Sequence, residues 1–309
     1  MGVDQVDTVT APLKVGAPRR RRFTSQSRAA IFFVVPVFIP LTIYWIIPSI
    51  AALGVSFTDY SVVQRTDWVG IDNYKELWSD GIFWRSLRNT AYYAGGQIPL
   101  TMGLGLLLAV IVNGAIRGRT VFRVVFYIPL VTSSIALSMI WLWMYAPQFG
   151  LANAMMRLVG LPELQWLMDP NTAMPSLILM GLWSGVGGPM ILFLAGLQII
   201  PAHIYEAAEV DGANAWQQFW YITLPSLKPI TLFIVITQII ASFQVFGPIF
   251  VMTEGGPFFA TTTIVYEIYT NGFRMFRMGY ASSQAWVLFS ILLVLALVNL
   301  KALGTQINE

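Results

Sequence analysis

The chain has 309 residues, of which 56% are hydrophobic and 11% charged. Soluble domains carry about 25% charged residues, so this composition excludes an ordinary soluble domain and demands a bilayer. With no cysteine and a net charge of only +3, a disulfide framework, a thiolate metal site and a nucleic-acid footprint are excluded too.

Residues 1–28 are polar, basic and rich in small residues, and read as a mobile cytoplasmic tail. Six segments then reach the roughly 20 mostly apolar residues that a helix needs to cross a membrane. They are approximately 29–57, 89–114, 121–146, 174–200, 229–252 and 280–304, followed by a short tail, 305–309. The first is too long for one straight crossing and must tilt or extend beyond the bilayer. Its length, with Pro36, Pro40 and Pro48, excludes a cleavable signal peptide. The loop 58–88 holds WVGIDNYKELW and then FWRSLRNTAYY, a spacing that points to a small structured piece lying on the membrane surface. The loop 147–173 carries short helical material with turn residues, FGLANAMM and LQWLMDP.

Polar and helix-breaking residues gather near span centres. The third span has Thr132, Ser133, Ser134 and Ser138, the fourth has GVGGP at 185–189, and the fifth has Gln238, Ser242 and Gln244. Breakers at membrane depth are tolerated where a polar cavity satisfies the backbone, or where small residues let helices pack closely. Singly, each polar residue reads as an interhelical hydrogen bond. Together the two groups read as a polar lining.

Lysine and arginine set the orientation. Eleven lie in the N-terminal tail, the 115–123 and 201–228 loops and the C-terminal end, against seven on the other side, and Arg19, Arg20, Arg21 and Arg22 directly precede the first span. Both termini and the 201–228 loop are therefore expected in the cytoplasm. Apart from Arg123 and Lys301 at span boundaries, no charged residue falls inside a span, and the single histidine, His203, sits in the 201–228 loop. Proton-driven carriers and charge-reading channels need intramembrane ionisable groups, and inverted-repeat carriers show internal symmetry. Neither is present, so the energy source is expected elsewhere.

The stretch EAAEVDGANAWQQFWYITLP at 206–225 places Glu206, Glu209 and Asp211 between two apolar spans. A polar helix–turn–helix there must stand in water or against a partner. Its spacing resembles the cytoplasmic coupling loop of ATP-binding-cassette import permeases. WVGIDNYKEL at 68–77, RGRTVFRVVFYIPLVTSSIALSMIW at 117–141, TEGGPFFATTTIVYEIYTNGF at 253–273 and GYASSQAWVLF at 279–289 are similar, in the same order, to segments of the carbohydrate-uptake branch, the maltose- and glycerol-phosphate-type subunits. The resemblance covers nearly all of the chain beyond about residue 25. It lacks the additional N-terminal helices and large external domain of the maltose permease.

The resemblance implies an all-α, six-span type I importer permease spanning 29–304. In the loop, Glu206, Ala207, Ala208, Asp211, Gly212 and Ala213 fall on the family motif and would dock into an ATPase. The two alanines keep the helix slim, Glu206 can pair with a base, and Gly212 permits the turn. Sugar-contacting positions of the family fall near Leu130 and Ser134, near Ser184, Gly185 and Gly188, and near Gln238, Ser242 and Val245. Leu130 and Val245 cannot hydrogen-bond through their side chains, so either the substrate differs or a sister subunit holds most contacts. TEGGP at 253–257 lies on the external side in the family, though a glycine turn accounts for it equally well.

The implied partners are a homologous second permease, two ATPase subunits carrying ATP and magnesium, an external binding protein and the lipid of a bacterial or archaeal cytoplasmic membrane, with no nucleic acid. The chain has no Walker-type phosphate loop and is not expected to be an enzyme or to hold a cofactor. The alternatives are a glycerol-phosphate ester importer, which could use Arg85 and Arg88, and, from another class, a secondary carrier or channel.

Overall fold

The computed structural model describes residues 25–61, 66–114 and 118–307. Most of the expected N-terminal tail, including Arg19 to Arg22, lies outside them. The chain divides at Ala51 and Ala52 into two compact units. The first holds α1 (Ser25–Leu41), a π-helical turn (Thr42–Ile46) and the start of α2 (Ile47–Val55). Pro36 and Pro40 each remove a hydrogen-bond donor from α1, and the π turn follows at once. Val34–Val55 is long and apolar enough to cross a membrane.

The second unit carries α3 (Asp72–Ser79), α4 (Gly81–Asn113), α5 (Arg119–Val131), α6 (Ser134–Met144), α7 (Leu151–Leu158), α8 (Pro170–Gly185), α9 (Gly187–Ile199) and α10 (Ala202–Val210). After these come α11 (Ala215–Gln218), α12 (Leu224–Ser226), α13 (Lys228–Phe243), α14 (Ile264–Tyr269) and α15 (Met278–Ile307). No strand occurs among the described residues, only the isolated bridges Thr58–Trp68 and Ser61–Arg277.

Two spans in this unit are single helices, Gly81–Asn113 and Met278–Lys301, and three are broken pairs. α5 and α6 meet at 100°, α8 and α9 at 43°, and the Ala215–Ser226 segment meets α13 at 62°. The causes are local. Pro129 closes α5 and Thr132 turns extended at ψ 145°. Pro225 and Pro229 flank Leu227, where α12 gives way to α13. The third span expected over 121–146 is thus two helices. The fifth ends at Phe243 rather than 252, and Ile249–Thr253 is a separate π turn. The second begins at Gly81 rather than 89, because the Asp80 carboxylate caps it by accepting from the Ile82 N–H at 2.8 Å. Its 33 residues span about 50 Å against a hydrocarbon core of about 30 Å, so its first turns, with Arg85 and Arg88, project beyond the bilayer.

α4 is the axis of the unit. It packs along α8, α9 and α13. One apolar core joins Tyr93 to Leu137, Trp141, Leu177, Met180 and Ile249, and another joins Ala109 and Val112 to Met190, Phe193, Leu227 and Ile234. A third, Leu77, Phe83, Ile264, Tyr280 and Leu288, seats the amphipathic α3 on α15. The structured piece expected in 58–88 is therefore present. Its Asn73 is buried, with Nδ2 donating to the Ser56 and Thr58 carbonyls at 2.9 and 2.7 Å.

Candidate coupling loop and membrane path

The nine residues AHIYEAAEV, five of them the good helix formers Ala and Glu, build α10, and the turn that ends it is written in the next three. Gly212 adopts φ +81°, the left-handed conformation that costs glycine least. This lets the Gly212 N–H reach the Glu209 carbonyl at 3.0 Å and the Ala213 N–H reach the Ala208 carbonyl at 2.8 Å. The pair is a Schellman motif, which satisfies the helix's last carbonyls. Asn214 then starts α11 with a capping box: its side chain accepts from the Gln217 N–H at 2.9 Å, and the Gln217 side chain accepts from the Asn214 N–H at 2.8 Å. Back near the spans the two arms are joined by the Tyr205 and Thr223 hydroxyls at 2.9 Å.

The motif residues come together on this arm. Glu206, Ala207, Asp211 and Gly212 are exposed, and Ala208 and Ala213 are half-buried against each other. Around them stand large apolar side chains with no cover in the chain: Val210 is 88% exposed, Tyr221 80% and Trp216 69%. Trp216, Phe219 and Trp220 form a ring cluster with centroids 5.6–6.3 Å apart. Alanines, acids and exposed aromatics on this turn form a candidate docking surface, an exposed apolar patch of the kind that marks interaction sites.

The residues expected along a membrane path separate into two groups. Leu130 and Ser134 are exposed on the broken third span, and Gly188 approaches Leu130. Ser184 is half-buried and bonds the Gly181 carbonyl of its own helix at 3.3 Å. Ser242 and Val245 line no open face. Val245 belongs to the apolar core, and Ser242 is 3% exposed, its hydroxyl donating to Gln97 Oε1 at 3.0 Å. The Gln238 amide nitrogen is buried without a partner. The sequence reading passed over Gln97 and Thr101 on α4. Gln97 Nε2 donates to the Gly181 carbonyl at 3.3 Å, and both residues border Gly185. A polar pair four residues apart in an otherwise apolar span was the available signal.

The TEGGP segment is a tight loop, not merely a glycine turn. Glu254, Gly255, Phe258 and Phe259 all have positive φ. Thr261 and Thr262 donate to the Gly256 and Gly255 carbonyls at 2.6 and 3.0 Å, and Arg274 bonds Glu254 at 3.3 Å.

A family model described as the binding-protein-dependent transport system inner membrane component matches residues 101–304. YesP of Bacillus subtilis, a probable ABC transporter permease protein, is 36% identical over 288 residues, covering 92% of this chain and 93% of that one. MsmF of Streptococcus mutans, a multiple sugar-binding transport system permease protein, is 34% identical, covering 87% of this chain and 93% of that one. A solved bacterial alginate ABC transporter, in complex with an alginate pentasaccharide-bound periplasmic protein, matches with a TM-score of 0.78 at 23% identity, over 89% of this chain and 93% of that one, a likeness of fold. The chain is an integral membrane transport subunit that belongs to the family of binding-protein-dependent transport system inner membrane components, with the fold of an ABC importer permease.

Proposed function

We propose that the chain is one permease half of an ATP-driven importer for a sugar or oligosaccharide. A homologous second permease completes the path. Two ATPase subunits, which carry ATP and magnesium, dock beneath, and a binding protein delivers substrate from outside. Both termini and the 201–228 loop face the cytoplasm of a bacterial or archaeal cell. The observation that carries the reading is the rigid, exposed turn at Glu206–Ala213, presenting the family's docking motif between two broken spans. Closure of the ATPases on ATP pushes this arm, and the spans attached to it rock between inward and outward openings.

The sugar class is supported by the multiple-sugar role of the Streptococcus relative and the alginate cargo of the structural neighbour. The exposed Leu130 and Ser134 and the half-buried Ser184 and Gly188 belong to this chain's side of the path, with the second permease opposite. The phosphate-ester alternative has a relative behind it, the sn-glycerol-3-phosphate transport system permease protein UgpA of Agrobacterium fabrum at 31% identity, but the side chains do not favour it. Arg85 and Arg88, the side chains it would need, stand in the first turns of α4, beyond the hydrocarbon.

The test is uptake of labelled saccharides into vesicles holding the complete transporter, with the binding protein outside and ATP inside. Uptake should require both. Uptake without ATP, or without the binding protein, would overturn the proposal.

A further inference from the structure

We propose that Gln97 is a positioning residue for transport: it fastens the fourth and fifth spans to the second near the middle of α4, so that the three move as one body. The inference rests on the importer reading above and deepens it. Gln97 is near the midpoint of the 33-residue α4. Its amide is held from both sides, Nε2 donating to the Gly181 carbonyl of α8 at 3.3 Å and Oε1 accepting from Ser242 of α13 at 3.0 Å. These partners lie beside the points where their helices end. Gly181 is four residues before the end of α8 at Gly185, and Ser242 is one before the end of α13 at Phe243. Movement at either of these helix ends would load these contacts.

The approach is possible only at a glycine. A Cβ on Gly181 would stand 2.5 Å from the Tyr93 hydroxyl and 3.1 Å from Gln97 Nε2. The polar seam continues one turn further. Thr101 on α4 is fully buried with Oγ1 unpaired, and Gln238 on α13 has Nε2 unpaired. As the second and fifth of six spans, α4 and α13 run in opposite directions. A four-residue step from Gln97 to Thr101 therefore matches the step from Ser242 to Gln238. Apolar packing alone would be served by leucine at all four positions. Buried polar groups within spans are costly unless they hold helices together or serve function.

The seam also lies where force must pass. The arm at 200–227 joins α9 to α13, and its limbs are fastened to each other through Tyr205 and Thr223. A push on the arm enters the fourth and fifth spans together. Among the described residues, Gln97 is the α4 side chain that hydrogen-bonds both of those spans.

The chain contains no cysteine, which makes a paired-cysteine test clean. In vesicles holding the complete transporter, uptake per ATP hydrolysed is measured for the wild type, Gln97→Met and Gln97→Cys/Ser242→Cys, the last before and after a short bifunctional thiol reagent. Gln97→Met keeps the side chain's length without its hydrogen bonds. It should retain most binding-protein-stimulated hydrolysis and lose at least threefold in uptake per ATP. The double cysteine variant should show the same loss, and cross-linking should restore the ratio. An unchanged ratio in Gln97→Met sinks the inference. So does a cross-link that arrests uptake until it is cleaved, because the spans would then part during the cycle. Uptake and hydrolysis falling in proportion would assign Gln97 a structural role only, which also overturns it. If Gln97→Met fails to accumulate, Ser242→Ala removes one arm of the same clasp, with the same outcomes. A wild type that shows no ATP-dependent uptake would defeat the importer reading itself, and this inference with it.

Discussion

Arg277 Nη2 donates to both carboxylate oxygens of Glu76 at 2.6 Å, across 201 positions of sequence. The pair fastens α3 to the start of α15, yet its two side chains are 44% and 48% exposed. Solvent screening leaves an exposed ion pair worth about 0.2–1 kcal/mol. Deeper in the same contact, the buried Asn73 amide carries two backbone carbonyls, of Ser56 and Thr58. Stripping buried acceptors of their donor costs about 1–3 kcal/mol. Glu76→Gln should therefore lower the unfolding midpoint by clearly less than Asn73→Ala. Thermal unfolding of both variants checks this, and the reverse order would mean that the ion pair, not the buried amide, anchors α3.

Gly212 separates a local cost from a partner's. At φ +81° a β-branched residue pays a left-handed penalty of about 1–2 kcal/mol, and among the described residues nothing beyond its immediate chain neighbours lies within 4 Å of the Cβ it would add. The chain itself therefore tolerates bulk there. Gly212→Val should leave the protein in the membrane and sharply reduce uptake per ATP, while Gly212→Asn, which accepts left-handed backbone more readily, should retain most of it. Equal activity in both variants would show that nothing docks at the turn.

This loop was legible residue by residue because its determinants are neighbours in sequence. The turn is complete within the six residues from Ala208 to Ala213, whereas the equally local Asn214–Gln217 box emerged only in the structure. The breaks were harder to see. Val131 and Ile135 flank Thr132 and Ser133, so the average over 121–146 stays apolar while Pro129 and an extended Thr132 turn the chain by 100°. Gln97 was missed for another reason. Its partners lie 84 and 145 positions away, and one amide in an apolar helix does not announce them. The same distance hid the fate of Ser242, which read as a path residue and is a clasp.

Glu267 offers a pH test outside the spans. Burial pushes its carboxyl above the ordinary carboxylate range, the Asn271 hydrogen bond at 2.7 Å lowers it in part, and the nearby Asp80 raises it further. The folded chain thus holds this proton more tightly than the unfolded chain. The stabilisation from this group is present in acid and is lost as pH rises through the raised value. Glu267→Gln keeps an acceptor for Asn271 and removes the titration. Relative to the wild type, the variant should gain stability as pH rises from the ordinary carboxylate range through the raised value, and then level off. A difference in unfolding midpoint that does not change with pH would refute this account.

Gln238 and Ser242 sit one turn apart on α13 and should respond to mutation in opposite senses. The Gln238 amide nitrogen is buried without a partner, and such a group costs about 1–3 kcal/mol. Leucine fills a similar volume and has no donor to satisfy, so Gln238→Leu should be neutral or stabilising. Ser242→Ala instead removes the donor to Gln97 Oε1 and should destabilise by about 0.5–1.5 kcal/mol, the usual net worth of one neutral hydrogen bond. On uptake the two should agree. Ser242→Ala loosens the clasp, and Gln238→Leu takes from the fifth span the amide that resemblance places beside the sugar. Each should slow uptake several-fold without abolishing it. A residue kept against its own stability cost is expected where function needs it. If Gln238→Leu stabilises the protein and leaves uptake unchanged, Gln238 has no part in the path, and this chain's share of the site contracts to Leu130, Ser134, Ser184 and the glycines beside them.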